Sequence, residues 1–446
     1  MREAILEKIR AAGVVGAGGA GFPTHVKIGS AADTIVVNGA ECEPLLRVDQ
    51  QLMEQAAEKM IDGLMTVIAV TGAREALIAL KSKYKQAISV LERHIAGKPI
   101  RLQILDDFYP AGDEHLTVYE ATGRLVPQGG IPLKVGCIVI NVETLVNIAE
   151  AMAGSPVTHS YVTITGDVPR PLTLRLPIGL SIAEAVSLAG RDDLTNMTVI
   201  DGGPMMGAWR KDFTLPITKT TKGLIVLPQD HPLARRRLMP LERIIRQAKT
   251  ACMQCRYCTD LCPRFLLGHQ LEPHKIMRAV QHLKLGDDVI KMAFACSECG
   301  ICEQYSCIMG LSPRDVNVFL KRELNKAGAK PNPPPADQAK RSGQEGRKIP
   351  VKRLIARLGL GAYDRPAPLS SDEVAPRQAQ ILLKQHAGAP AQPLVTQGQY
   401  VVRGEMIASI PDKALGANVH ASMNGVVSAV TSTMIVINAR EESSRL

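Results

Sequence analysis

The chain has 446 residues, 46% of them apolar, and carries a formal net charge of +10. That length argues for several domains with real cores, and no apolar run approaches the roughly 18 to 20 residues that a membrane-spanning helix needs. Aromatic residues make up only 3% of the chain, too few for the base-stacking platforms of a nucleic-acid binder, so nucleic acid is not expected as a partner in spite of the charge.

Residues 2–12 have amphipathic helical spacing, with Ile5 and Ile9 one turn apart and Leu6 beside them. The loop that follows holds Gly16, Gly18, Gly19 and Gly21 before Phe22-Pro23-Thr24 and satisfies G-x-G-x-x-G letter for letter. A dinucleotide fingerprint requires a strand entering the loop and a helix leaving it. Here a helix enters, and Pro23 with Thr24 leaves on an extended path. The loop therefore reads as a phosphate cradle of a different fold, since glycines let backbone N–H groups come close to an anion. Beyond it the pattern predicts a strand at 34–37, a helix at 50–65, a strand at 66–70, a long helix at 74–95 and a strand at 100–105. This alternation argues for an α/β layer with a mostly parallel sheet, assigned to residues 1–155.

From residue 156 to 232 the pattern changes to short strands and turns. Strands are expected at 161–165, 172–176 and 197–200, with a helix at 181–189 and a loop Gly202-Gly203-Pro204-Met205-Met206-Gly207. Residues 236–325 hold the cysteine runs and read as helical between them. Residues 326–353 contain eight Lys or Arg against Asp337 and Glu345, a net of +6 within the +10 of the chain, together with Pro331, Pro333, Pro334 and Pro335. Such a stretch reads as an extended linker. Residues 354–446 form the last domain, where short strands between Gly388, Gly398, Gly404, Gly416 and Gly425 suggest a compact barrel or sandwich.

Eight of the ten cysteines fall in two runs, Cys252, Cys255, Cys258, Cys262 and Cys296, Cys299, Cys302, Cys307, the first followed at once by Pro263. C-x2-C-x2-C lets one winding stretch of backbone offer three thiolates to a cubane cluster, and the fourth must arrive from elsewhere. Structural zinc also uses C-x2-C pairs, but closes with four ligands in paired knuckles, a plan that this spacing matches poorly. Disulfides are not expected, because no charged-then-apolar signal segment stands at Met1 and cysteine is sparse elsewhere. Cys42 and Cys137 read as reduced core thiols. The runs resemble those of two-cluster ferredoxins, in which the fourth cysteine of each run serves the other cluster. Carried over, Cys252, Cys255, Cys258 and Cys307 would hold one [4Fe–4S] cluster, and Cys296, Cys299, Cys302 and Cys262 the second. The second run departs from the pattern, with four residues before Cys307 and Ile308 where a proline usually stands.

Three further segments carry a wider resemblance. Gly18-Gly19-Ala20-Gly21-Phe22-Pro23-Thr24 with Lys27, then Asn38-Gly39-Ala40-Glu41-Cys42-Glu43-Pro44, then Asn141-Val142-Glu143-Thr144-Leu145 resemble the signatures of the flavin- and NADH-binding subunit of respiratory complex I, and more closely those of RnfC-type electron-transport subunits. The resemblance implies that Gly18, Gly19, Gly21, Phe22 and Lys27 meet the FMN phosphate and the nicotinamide nucleotide. It further implies that Asn38, Glu41 and Glu43 line the flavin and that Asn141 and Thr144 close its site. The family's Gly-Glu-Glu-Thr segment is present only as Gly112-Asp113-Glu114-His115, which makes Gly112 and Glu114 candidates, and the first of two usual asparagines is Ile140.

Residues 164–189 with the Gly-Gly-Pro-Met-Met-Gly loop resemble the β-grasp (SLBB) module of the same proteins. Segments around His386 and His420 resemble the biotinyl- or lipoyl-like barrel of RnfC, with Asn424 near the place of a carrier lysine, so no covalent biotin or lipoate is expected. The expected fold is thus multidomain α/β: a Rossmann-like FMN/NADH domain, a β-grasp domain, a helical two-[4Fe–4S] ferredoxin domain and a C-terminal barrel.

RnfC proteins place the barrel before the flavin domain, whereas here it comes last. That order resembles the PduS-type cobalamin reductases of propanediol-utilisation microcompartments. The resemblance implies electron flow from NADH through FMN and two clusters to cobalamin, with no side chain acting as acid, base or nucleophile. It implies a bacterial cytoplasmic protein inside a microcompartment, with cobalamin, its adenosyltransferase and a shell protein as partners. Two other readings stay open: an RnfC-like NADH:ferredoxin subunit, and a cluster-bearing conduit without flavin. His115, His159 and His386 read as ordinary surface or hydrogen-bonded histidines.

Overall fold

The computed structural model describes residues 2–440. In the first domain, α1 (Arg2–Ala11) leads through the glycine loop to α2 (Thr24–Lys27), β1 (Thr34–Gly39), α3 (Val48–Gln55), α4 (Ala57–Thr71), β2 (Glu75–Lys81), α5 (Lys85–Ile95) and β3 (Ile100–Leu105). β4 (Phe108–Tyr109), α6 (Glu114–Thr122), β5 (Cys137–Asn141) and α7 (Val142–Met152) complete it. The sheet is wholly parallel, in the order β3-β2-β1-β5.

Two expected elements exchange type. Residues 66–70 continue α4 until Gly72, in the left-handed region at φ 70°, ends it. The first part of the expected helix at 74–95 is strand β2, whose Ala76 to Leu80 are buried between β1 and β3. A strand covered on both faces reads as a continuous apolar run rather than an alternating one, and Ala-Leu-Ile-Ala-Leu suits a helix equally well until its neighbours are known. Thr24 also differs from expectation, because the chain leaves Pro23 directly into the single turn of α2.

The second domain is a five-stranded mixed sheet, β7-β6-β10-β8-β9, built from β6 (His159–Gly166), β7 (Leu172–Pro177), β8 (Met197–Asp201), β9 (Ala208–Arg210) and β10 (Gly223–Pro228). Helix α8 (Ile182–Ser187) packs on it and starts with a reciprocal capping box between Ser181 and Glu184.

The cysteine domain is helical, from α9 (Pro232–Arg237) and α10 (Leu241–Ala251) through α11 (Tyr257–Asp260), α12 (Pro263–Leu266), α13 (Pro273–Ala279) and α14 (Asp288–Lys291) to α15 (Pro313–Lys326). It has a core of its own, with Ile276, Ile290, Val316 and Leu320 fully buried.

The proline-rich segment is extended, as a linker would be, but it is not free. Arg341 donates from its backbone N–H to the Leu266 carbonyl, and Gln338 bridges Val126, Gln128 and Leu267. Lys348 pairs with Glu120, and β11 (Ile349–Pro350) adds antiparallel to β4. The segment is a strap tying the cysteine domain to the first domain, and α16 (Val351–Arg357) then buries Leu354 and Ile355.

The last domain pairs two sheets, β12-β18-β17-β14 and β13-β15-β16, from β12 (Gln378–Leu382), β13 (Gln392–Pro393), β14 (Tyr400–Val401), β15 (Met406–Ser409), β16 (Val419–His420), β17 (Gly425–Val430) and β18 (Met434–Asn438). Its Ile381, Ile407, Ile435 and Ile437 join one apolar core with Ile9, Ile35, Leu64 and Ile148 of the first domain. Asn424 Oδ1 accepts the Arg403 N–H.

Candidate cofactor sites

β1 and β5 are neighbours, yet the chain leaves β1 toward β2 on its other side, so the topology switches between these two strands. In open α/β sheets ligands bind outside the carboxyl ends of strands at such a point. Asn38 and Asn141 stand there side by side in register. Asn38 donates to the Gly112 carbonyl (3.0 Å) and accepts the Ala40 N–H (3.2 Å), fixing the turn between β4 and α6 to the end of β1. Asn141 accepts the Glu143 N–H as the cap of α7 and donates to Asp49 (2.9 Å).

The glycine loop rises beside this edge. It is pinned at its base by the Val15 to Pro23 bridge and at one shoulder by the Ala17 N–H donating to Thr144 Oγ1 (2.9 Å). Gly18 and Gly19 are left-handed, at φ 84° and 67°, and a Cβ on Gly19 would meet nothing within 4 Å. Among the described residues the N–H groups of Gly18, Gly19 and Ala20 donate to no protein acceptor. Unpaired backbone donors in a left-handed glycine turn fit a phosphate. Lys27 lies nearby, paired with Glu114 at 3.0 Å, and Phe22 is exposed. Gly21 has a different reason: a Cβ there would sit 2.8 Å from Thr220 Cγ2 and 3.1 Å from the Gln385 carbonyl, so it lets the second and last domains close on the loop.

Glu41 and Glu43 are half-buried and bond to other segments than the loop. Glu41 accepts the Asp49 and Gln50 N–H groups in the first turn of α3, and burial lifts its carboxyl to about 7. Glu43 accepts the Met205 N–H (2.9 Å), and burial likewise lifts it to about 7. Tyr109 stands between Glu43 (3.4 Å) and the Cys299 carbonyl, to which its hydroxyl donates at 2.7 Å. The turn of Glu43, the Met205 loop and the second cysteine run therefore meet at one point.

Sequence reasoning missed the ionic floor of this crevice. Lys222 Nζ lies 2.8 Å from Asp49 and 2.9 Å from Glu143, all three nearly inaccessible, and the two carboxylates hold the ammonium well above its ordinary range against its burial. Glu143 also accepts from Ser160 Oγ and the Tyr161 N–H. Asp49 and Lys222 are 173 positions apart, so no local pattern could reveal the pair. Arg264 to Asp113 (2.9 Å) is a second such link, between α12 and the cap of α6. His115 is buried, bonded to the Gly130 carbonyl and set against His269.

The cysteine runs converge. Cys258 is close enough to feel Cys252, Cys255, Cys262 and Cys307, Cys262 to feel Cys296, Cys299 to feel Cys262 and Cys296, and Cys302 to feel Cys296, Cys299, Cys258 and Cys262. Burial above all pushes the Cys258 and Cys262 thiols up to about 12, which bound iron would reverse by deprotonating them outright. A cubane takes one thiolate at each iron corner, so two clusters would use the eight thiols of the two runs. The extra residue before Cys307 is absorbed locally, because Cys302–Ser306 winds as a π-helical turn. Cys262→Ser should then damage chiefly the cluster of Cys296, Cys299 and Cys302. Electron paramagnetic resonance of the reduced protein checks this, and loss confined to the other cluster would refute the crossover.

Three family models match the chain: the Nuo51 FMN-binding domain over residues 9–150, a 4Fe-4S dicluster domain over 251–312 and the RnfC barrel sandwich hybrid domain over 368–444. Together with the fold they define a multidomain chain that joins an FMN-binding module to an iron–sulfur dicluster module. One component of the ion-translocating oxidoreductase complex of Salmonella arizonae is 34% identical over 276 residues, which cover 60% of this chain and 39% of that one. Cobalamin reductase PduS of Citrobacter freundii is 47% identical over 439 residues, 98% of this chain and 96% of that one. The PduS of Salmonella typhimurium is 47% identical over 437 residues, 97% and 96% of the two chains. The chain belongs to the PduS cobalamin reductase family.

Proposed function

We propose that the protein is an NADH-dependent cobalamin reductase that binds one FMN and two [4Fe–4S] clusters. One NADH reduces two cob(II)alamin to two cob(I)alamin, releasing NAD⁺ and a proton. Bound flavin supplies the exchange between hydride and single electrons that such a reaction needs, and the protein sets distance, access and potential. The observation that carries the reading is the junction at Tyr109, which joins the turn of Glu43 to the peptide of Cys299.

The residues have distinct tasks in this reading. Gly18, Gly19 and Lys27 hold the phosphate, Asn38, Asn141 and Gly112 shape the crevice floor, and Thr144 fixes the loop. Phe22, Glu114, Glu41 and Glu43 border the site, the last two by shaping its backbone from behind. Cys252, Cys255, Cys258 and Cys307 hold one cluster, and Cys262, Cys296, Cys299 and Cys302 the other. The second domain is a β-grasp of the SLBB kind, and the last a barrel of the biotinyl or lipoyl kind. Among the described residues no helix is long and apolar enough to cross a membrane. A bacterial microcompartment, with an adenosyltransferase that consumes cob(I)alamin, is the setting that goes with this reading.

Anaerobically purified protein should contain about eight iron atoms per chain, four for each cubane, and should form cob(I)alamin from NADH. Gly19→Asp is the matching control. Aspartate tolerates the left-handed region better than most residues, and its side chain would enter open space, so folding and iron content should be kept. Its carboxylate would occupy the phosphate's place, and flavin content and cob(I)alamin formation should both be lost. Unchanged flavin content would move the flavin site elsewhere.

A further inference from the structure

A cleft of about 590 Å³ opens between the cysteine domain and the strap. Its volume is in the range that receives a nucleotide-sized ligand. One wall carries Arg256, Asp260 and Phe265; the other carries Asp337, Lys340, Arg341 and Arg347. Four cations against two carboxylates leave the cleft positive, and the cations are only partly engaged: Lys340 lies 3.6 Å from Glu345 and over the Tyr119 ring, both outside the cleft lining. Arg256 pairs with Asp260 through Nε (3.2 Å), and Arg347 donates from Nη1 to the Asp260 carbonyl (3.3 Å). Arg341 lies 4.0 Å over the Phe265 ring and uses Nε on the Phe265 carbonyl, which holds its fork in place with the terminal nitrogens spare. Planar forks of this kind match phosphate oxygens two at a time. The basic residues of the strap thus line one side of a positively charged cleft.

The cleft also shares its wall with the cluster ligands. Arg256 stands between Cys255 and Cys258, and Asp260 between Cys258 and Cys262. Three thiols of the first set, Cys252, Cys255 and Cys307, are partly exposed and only Cys258 is buried, whereas in the second only Cys296 is partly exposed, with Cys262, Cys299 and Cys302 buried and the Cys299 carbonyl bonded to Tyr109. Met253, Tyr257, Ile308 and Met309, beside the exposed thiols, present apolar side chains to solvent.

We propose that this cleft receives the phosphodiester-bearing nucleotide arm of the corrinoid acceptor, and that the cluster of Cys252, Cys255, Cys258 and Cys307 is therefore the one that electrons leave. The corrin then lies over the apolar rim, and each cob(II)alamin takes one electron there to become cob(I)alamin, the electrons coming from NADH. This rests on the cobalamin reductase reading above. A free nucleotide would offer the same phosphate chemistry, so the test must separate the two.

Equilibrium binding to anaerobically purified, cofactor-loaded protein does so, with cobalamin, cobinamide (the corrin ring without the phosphodiester arm) and ADP as probes. Lys340→Glu reverses one cleft charge, and Ser342→Trp fills space; both positions are exposed on the strap. Each variant should weaken cobalamin binding by about tenfold or more, on the order of 1.4 kcal/mol, and leave cobinamide binding, iron and flavin unchanged. Cobalamin bound equally by wild type and both variants would overturn the cleft assignment and leave the reductase reading standing. ADP bound in a Lys340-dependent way, with no corrinoid bound or reduced by the wild type, would overturn both.

Discussion

Replacing Cys296 and Cys299 together by alanine should abolish cob(I)alamin formation while NADH still bleaches the flavin. The two halves separate because the crevice at the ends of β1 and β5 is complete within the first domain, apart from the floor lysine on β10's approach, and none of its parts is a cysteine of either run. The link across the junction survives the substitution, since Tyr109 bonds the backbone carbonyl at Cys299 and not its thiol. Stopped-flow absorbance of the flavin band, run beside an anaerobic cob(I)alamin assay, reads both activities. Cobalamin reduction at the wild-type rate would place the clusters off the electron path. Loss of flavin reduction in folded protein would mean that the domains are not separable in this way.

Lys222→Met should be among the most destabilising single changes in the chain. It leaves Asp49 and Glu143, almost wholly inaccessible, without their shared cation, and breaking a buried pair from one side costs about 3–5 kcal/mol. For a domain of this size that lowers the melting temperature by on the order of 10 °C. The pH dependence has a definite sign. Burial already raises the Glu143 carboxyl above its ordinary value, and loss of Lys222 removes the largest influence that lowers it. A carboxyl raised in the folded state costs stability above its folded value and costs nothing once pH falls below its unfolded one. The deficit should therefore be full at alkaline pH and shrink as pH falls through that window. Adding Asp49→Asn and Glu143→Gln should recover part of the loss, as thermal melts across pH would register. A deficit independent of pH would mean that packing, not charge, dominates.

The cysteine centre was the most legible part of the chain because its ligands are local: three cysteines at two successive steps of three residues, in each run, declare themselves in any fold. The extra residue before Cys307 looked like a defect in sequence and became a π turn in structure. β2 was illegible for the opposite reason. Its residues suit a helix, and only the strands on both sides decide otherwise. The crevice was half visible. Asn38, Asn141 and the glycine loop lie in recognisable strings, but the reason for Gly21 is Thr220 and Gln385, and the partner of Asp49 is Lys222. Contacts across such separations leave no periodic trace. The strap was seen as basic and proline-rich, and its bonds to Leu266 and Leu267 could not be.

The last domain lies against the first helix of the chain. Asn418 Nδ2 donates to the Arg10 carbonyl, Lys219 Nζ bridges the Gly13 and Asn418 carbonyls, and the Ala387 N–H donates to Gly21. Domain order is therefore a matter of wiring here rather than of shape, since a barrel encoded ahead of α1 would change connectors and keep its neighbours. The same closure governs synthesis. At about 5–20 residues per second, the apolar patch that Ile9 and Ile148 share with Ile435 and Ile437 stays open from the emergence of the first domain until strands β17 and β18 leave the ribosome, a span of tens of seconds in which the nascent chain has its parallel sheet but not yet the lid on its core.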